Sequence, residues 1–172
     1  AFLLLNVPSQ AQWVQTNGPY GNGDIRSFEV RGSSIFARTY TNGIFRSNDN
    51  GDTWTRVNTE LMGERIDELA SNSKFLFAVN WNGVVFRSSD NGDSWMKVNK
   101  EANLHSVNSL IVMDTILFAG TLNEGVYRST DNGDSWELTR LTREVNALFL
   151  NGENLIASSY YDVYRSKDNG DH

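Results

Sequence analysis

Ser129-Thr130-Asp131-Asn132-Gly133-Asp134-Ser135-Trp136 is one of several near-copies of a single phrase. The phrase stands again at 88–95 and at 47–54, and it begins once more at Ser166-Lys167-Asp168-Asn169-Gly170-Asp171. The opening serines are 41, 41 and 37 positions apart (88−47, 129−88, 166−129). A period of that length marks an array of small stacked units, none of which buries its apolar face alone. Alternating runs flank each copy: Gly125-Val126-Tyr127-Arg128 leads in and Trp136-Glu137-Leu138-Thr139 leads out. Period two means strands, so the phrase is the turn of a hairpin. Asn-Gly accepts the positive φ of a tight turn, and the neighbouring Ser and Asp side chains can bond its amides. The closing Trp, if fully buried, contributes at most about 4–6 kcal/mol.

These residues resemble a known family. Ser-x-Asp-x-Gly-x-Thr/Ser-Trp is similar to the Asp-box, or BNR repeat, of sialidase-like β-propellers, which also occurs in sortilin-type receptors, xyloglucan-degrading enzymes and photosystem assembly factors. The matching residues are Ser47, Asp49, Gly51 and Trp54; Ser88, Asp90, Gly92 and Trp95; Ser129, Asp131, Gly133 and Trp136; and Ser166, Asp168 and Gly170. The resemblance implies an all-β propeller of four-stranded antiparallel blades, with the box hairpin between third and fourth strands. About four blades are in hand, from a parent of about six to eight. It also implies a structural role for the boxes, at the rim and away from the ligand face.

The register is regular. Inner strands open on Ile25, Ile66, Val107 and Val145, and twelve positions later stand Ala37, Ala78, Ala119 and Ala157. Small residues there suit close contact between converging sheets. Blade one is expected at 25–31, 34–41, 43–48 and 53–58; blade two at 66–71, 74–81, 83–89 and 94–99. Blade three is expected at 107–113, 115–121, 125–130 and 135–140, and blade four at 145–151, 154–160 and 162–167, without an outer strand. Residues 60–65 read as a loop with room for one helical turn, because Ile66 keeps the inner-strand register. An Arg recurs in every third strand (Arg46, Arg87, Arg128 and Arg165), which points to a structural partner for carbonyls or carboxylates. Gln12-Trp13-Val14-Gln15-Thr16-Asn17 resembles the outer strands Thr53-Trp54-Thr55-Arg56-Val57-Asn58 and Ser94-Trp95-Met96-Lys97-Val98-Asn99. It reads as an outer strand with no blade before it, of the kind that closes a ring and removes an edge.

The formal charge of −6 and pI near 4.9 argue against a nucleic-acid partner and against attachment to anionic lipid. The chain has no cysteine, which excludes disulfides, thiolate nucleophiles and cysteine-held zinc. Phe2-Leu3-Leu4-Leu5 followed by Ser9-Gln10-Ala11 resembles the tail of a secretory signal peptide, so 1–11 reads as its remnant and 12–172 as the propeller. The expected location is secreted or periplasmic, with no membrane span.

Ligands of such propellers meet the loops opposite the boxes. There the sequence offers Tyr40, Trp81, Tyr160 and Tyr161 in the second-to-third-strand connections. Arg26, Asp67, Asn108 and Asn146 stand second in the inner strands. Aromatic rings beside amides and carboxylates suit a sugar or a protein hot spot; the plainer reading is hairpin chemistry and solvated rim. A sialidase site implies an Arg-Ile-Pro motif before the first box, and the two prolines here are Pro8 and Pro19. Catalytic residues are therefore not assigned. Asp-Asn-Gly-Asp lacks the ligand spacing of a calcium loop, and no metal or cofactor is expected. The sequence points to a non-catalytic scaffold for a protein or carbohydrate ligand, with a glycoside hydrolase of sialidase-like or xyloglucanase-like type as the alternative.

Overall fold

The computed structural model describes residues 13–19, 24–57, 61, 63–99 and 104–172. The proposed signal remnant at 1–11 lies outside them. Four antiparallel sheets follow one another along the chain. Blade one is β1 (Ile25–Arg31), β2 (Ser34–Thr39), β3 (Ile44–Ser47) and β4 (Thr55–Arg56). Blade two is β5 (Ile66–Ser71), β6 (Leu76–Asn80), β7 (Val85–Ser88) and β8 (Met96–Lys97). Blade three is β9 (Val107–Met113), β10 (Ile116–Thr121), β11 (Val126–Ser129) and β12 (Glu137–Leu138). Blade four is β13 (Ala147–Asn151), β14 (Asn154–Ser158) and β15 (Val163–Ser166). Within each sheet the strands lie in chain order, as in a propeller blade.

The core lies between blades rather than within them. Phe36, Ile44 and Val57 of blade one pack against Ile66, Leu69, Leu76 and Ala78 of blade two. Val79, Val85 and Val98 of blade two meet Val107, Leu110, Leu117 and Ala119 of blade three. Phe118 and Val126 of blade three meet Val145, Leu148, Leu155 and Ala157 of blade four. The recurrent alanines are all buried, as close sheet contact requires. At the ends of the array the apolar faces are open: Phe28 and Val30 on β1, and Phe149 and Val163 on blade four, are mostly exposed.

Three expectations change. Outer strands β4, β8 and β12 are two residues long, not six: two residues after each box pair with the third strand, and one further amide, of Val57, Val98 or Thr139, bonds its first residue before the pairing ends. Blade four's inner strand starts at Ala147 rather than Val145. The connection from Trp136 to Val145 spans 9 positions where Trp54 to Ile66 spans 12 (145−136, 66−54), and the Val145 amide bonds the Thr121 carbonyl of blade three instead of its own sheet. Residues 13–19 form no strand, and Trp13 is fully exposed. The ring-closing pairing is not made among the described residues: the fourth sheet ends at β15, and no strand lies beside it.

Candidate functional site

The box hairpins are built alike. Asn50 and Gly51 have φ of 59° and 98°, and the Asp52 amide bonds the Asp49 carbonyl at 3.3 Å, which is the geometry of a type I′ turn. The Ser47 hydroxyl accepts from the Gly51 amide at 2.8 Å and donates to Asp49 Oδ1 at 2.7 Å. Asp49 in turn accepts from the Thr53 amide and hydroxyl, at 2.9 and 2.5 Å. The Thr53 hydroxyl and amide, then Ser47, hold the Asp49 carboxyl down at about 2; Ser94 does the same at Asp90. Each indole donates to the carbonyl of its own box glycine, and Trp95 also to Val57 of the preceding blade at 3.0 Å. Trp95 and Trp136 are half-buried in the seams between blades rather than enclosed, and Trp54 lies half-buried near Phe28 of its own blade.

The recurrent arginines clasp neighbouring blades. Arg46 donates to the Asn91 carbonyl and pairs with Asp93; Arg87 reaches Asn132 and Asp134; Arg128 reaches Asn169 and Asp171. They serve the rim, as their recurrence implied.

At the opposite end of the blades, Arg26, Tyr40, Asp67, Trp81 and Asn108 line one groove of about 380 Å³ between blades one, two and three. The β1–β2 pairing sets Ile25 opposite Thr39, which puts Arg26 and Tyr40 at the same end. Tyr40 lies beside two guanidinium groups, Arg26 at 4.8 Å and Arg65 at 4.9 Å from its ring centre. Arg26 pairs with Asp24 at 3.1 Å and Arg65 with Asp67 at 2.9 Å. Asn146 and the tyrosines 160 and 161 are not part of this groove. Asn146 precedes β13, and its amide bonds Ser158. Tyr160 and Tyr161 stand at the β14–β15 turn, where Tyr161 lines a separate depression with Arg143, Glu144 and Asp162.

Deeper in the groove lies an ion pair, Arg38 with Glu68; Glu68 is one of the carboxylates the sequence offers, with Asp67 and Glu124, but no spacing singles it out. Arg38 donates to Ser27 Oγ and to the Ile66 carbonyl, both at 3.1 Å, and faces Glu68 at 3.6 Å. Burial pushes the Glu68 carboxyl up to about 7, against the pull of Arg38 and with help from Asp67. Burial also lowers the Arg38 guanidinium. A signal existed: Arg38 follows Ala37, where the other blades carry Val79, Gly120 and Ser158. A charge in an otherwise uncharged repeat position marks a local exception. Among the described residues no cluster of three or more His, Asp or Glu could hold a metal ion. No helix among them is long and apolar enough to cross a membrane.

The family model described as "Sortilin, neurotensin receptor 3" matches residues 42–169. The chain belongs to the Sortilin-Vps10 family. No curated protein matches it by sequence. Among solved structures it is similar to the computationally designed protein Ika4 (9% identity, TM-score 0.73), covering 91% of this chain and 98% of that one. It is similar to the GH74 enzyme of Niastella koreensis (18% identity, TM-score 0.71), covering 88% of this chain but 29% of the enzyme. It is also similar to YCF48 bound to a D1 peptide (16% identity, TM-score 0.65), covering 86% of this chain and 49% of that one. These likenesses establish the propeller fold; the chain spans less than a third of the enzyme and about half of YCF48.

Proposed function

We propose that this Vps10-type chain acts as a non-catalytic binding or assembly scaffold, secreted or periplasmic, that holds a protein or glycan segment in the groove between Tyr40 and Trp81. The observation that carries this reading is a pair of exposed rings, 41% and 56% accessible, over a groove whose charges are already paired with one another. Exposed aromatic faces supply contact area at small entropic cost, and paired charges orient a ligand without committing a free nucleophile. The structure of YCF48 with a bound peptide is in keeping with such a role for a fold of this kind. The location rests on the apolar opening of the chain and on Ser9-Gln10-Ala11.

The test is binding of the protein to a glycan array and to a displayed peptide library, which separates the two ligand classes. Tyr40→Ala and Trp81→Ala should each weaken capture by about tenfold or more; unchanged binding in both would place the ligand elsewhere. One observation favours a second reading. A carboxyl held near 7 beside Asp67 has the protonation that a general acid of a glycoside hydrolase needs. Hydrolysis of a β-glucan that is abolished by Glu68→Gln would select that reading over the scaffold.

A further inference from the structure

A second groove, of about 630 Å³, lies at the box end of the seam between blades one and two, away from Tyr40 and Trp81. It is bounded by the β1–β2 turn at Gly32 and Ser33, the β5–β6 turn at Asn72 and Ser73, and Asn91 of the second box. Arg31 spans it from one blade to the other. Its Nε donates to the Asn72 carbonyl at 3.1 Å, its Nη2 to the Ser73 carbonyl at 3.0 Å and its Nη1 to Asn91 Oδ1.

All three acceptors are neutral. Arg26, Arg38, Arg46, Arg65 and Arg87, of the same two blades, each face a carboxylate. No carboxylate pairs with Arg31 among the described residues. Glu29, two positions earlier on the same strand, accepts instead from Ser71 Oγ at 2.7 Å. A second cation stands beside the groove: the Lys74 ammonium lies over the Phe75 ring at 4.9 Å and likewise has no carboxylate among the described residues.

Holding the turns together does not call for this charge. Asn72 stands six positions after Ile66 as Arg31 stands six after Ile25 (72−66, 31−25), and its uncharged amide reaches the Asp114 carbonyl of the next turn at 3.3 Å. At the following seam the same position is Met113. The guanidinium also has donors to spare. Of its five N–H groups three are committed, so two remain (5−3). Among the neighbouring hydroxyls, Ser34 donates to Asn48 and Ser71 to Glu29, while those of Ser33 and Ser73 have no partner among the described residues.

We propose that this groove binds one tetrahedral oxyanion, a phosphate or sulfate group, on the two remaining N–H of Arg31 and the hydroxyls of Ser33 and Ser73. Charge-assisted bonds from a guanidinium are the strong ones for such a group, and three existing bonds already fix this side chain, so little further ordering is needed. Donors from two different turns suit oxygens that point in different directions, as on a tetrahedral group, better than the coplanar pair of a carboxylate. The formal charge of −6 works against a long polyanion, so the ligand is a small ion or a single ester group. The site goes beyond the ligand-binding proposal and does not depend on it, because the two grooves lie at opposite ends of the blades.

The experiment is an NMR titration of the isotope-labelled 172-residue chain with sodium phosphate, against sodium chloride at equal ionic strength. Saturable shifts are expected at the amides of Gly32, Ser33 and Ser73, with half-saturation below about 10 mM, and sulfate should compete. Arg31→Gln should weaken binding by about tenfold or more. Ser33→Asp leaves Arg31 and its bonds in place and should abolish binding, which keeps the test decisive where Arg31→Gln disturbs the fold. A hexose phosphate and the bare hexose separate the two sources of the group. Binding of the ester about tenfold tighter than inorganic phosphate assigns the site to a phosphorylated sugar; equal affinity assigns it to the free ion, and either result upholds the site. No saturable shift up to about 50 mM phosphate, or shifts that both variants leave unchanged, would overturn the proposal. So would shifts centred on Tyr40 and Trp81, which would place the anion in the other groove.

Discussion

Arg87 on β7 donates to the carbonyl oxygen of Asn132, 2.9 Å away in the box hairpin of the neighbouring blade. The same guanidinium nitrogen lies 3.2 Å from Asp134. One side chain thus closes the seam between two sheets at the rim, where the apolar packing thins out. Arg87→Ala should lower stability by about 1–3 kcal/mol, since it leaves a turn carbonyl and a carboxylate without their charged donor. Arg87→Lys should recover only part of this, because an ammonium on a different stem does not reproduce the fork. Urea unfolding of the two variants measures the difference.

Trp95 shows how much an indole contributes when it sits in a seam. It packs on Val57 and its neighbours and bonds the Val57 carbonyl at 3.0 Å, but it stays half-exposed. Trp95→Ala should cost about 2–4 kcal/mol, less than a fully enclosed Trp would. An unchanged thermal midpoint would remove the indole from the forces that hold blades one and two together.

The box carboxylates set the acid limit. Asp49 and Asp90 are held down at about 2 by bonds from Thr53 and Ser94, and Asp131 and Asp168 are also lowered. Their unfolded reference is 3.8, so the native state binds fewer protons and its stability falls as pH drops from about 4 toward 2. Asp90→Asn should flatten that fall in a pH series of melting curves. A fall of the same depth in the variant would assign acid unfolding to other groups.

Glu68 has the opposite sign. Its carboxyl lies near 7 against an unfolded 4.5, so the native state holds the extra proton between those values. Stability should therefore decline as pH rises from about 4.5 to 7, by an amount on the order of 1–3 kcal/mol. Glu68→Gln keeps a neutral group facing Arg38 and should hold its pH 5 stability up to pH 8. Identical pH profiles for the two proteins would show that the burial of this pair has no titration consequence.

Two glycines separate backbone strain from crowding. Gly32 and Gly83 have φ of 60° and 77°, but a Cβ at Gly32 meets open space while one at Gly83 runs into the Leu104 carbonyl. Gly32→Ala should cost about 1 kcal/mol, the left-handed penalty alone. Gly83→Ala should cost several times that or prevent folding, as chemical denaturation will show.

What the sequence made legible follows from repetition. Wherever the blades agree, a single phrase read several times reveals its physics: Asn-Gly for the turn, Ala for the seam, Arg for the clasp. The same averaging hides the exceptions. Arg38 and Glu68 occur once, on different blades, and only the packing of blade one on blade two brings them within 3.6 Å. Tyr40 and Trp81 were singled out for chemistry, but their meeting with Arg26, Asp67 and Asn108 in one groove depends on how adjacent sheets are offset. Tyr160 and Tyr161 share the same loop type and still fall outside it, because a loop's class fixes its end of the blade and not its neighbour. Strand ends were misjudged where side-chain alternation runs past the last backbone pair, as in the outer strands.

The apolar clusters described above each draw on two successive sheets, so no sheet owns a core. A gene that gained or lost one blade would change the number of seams by one and leave every remaining seam with its own residues intact. The unit of inheritance that makes physical sense is then the junction, half of one sheet and half of the next, and recombination breakpoints in the middle of a sheet should be better tolerated than those that divide a junction.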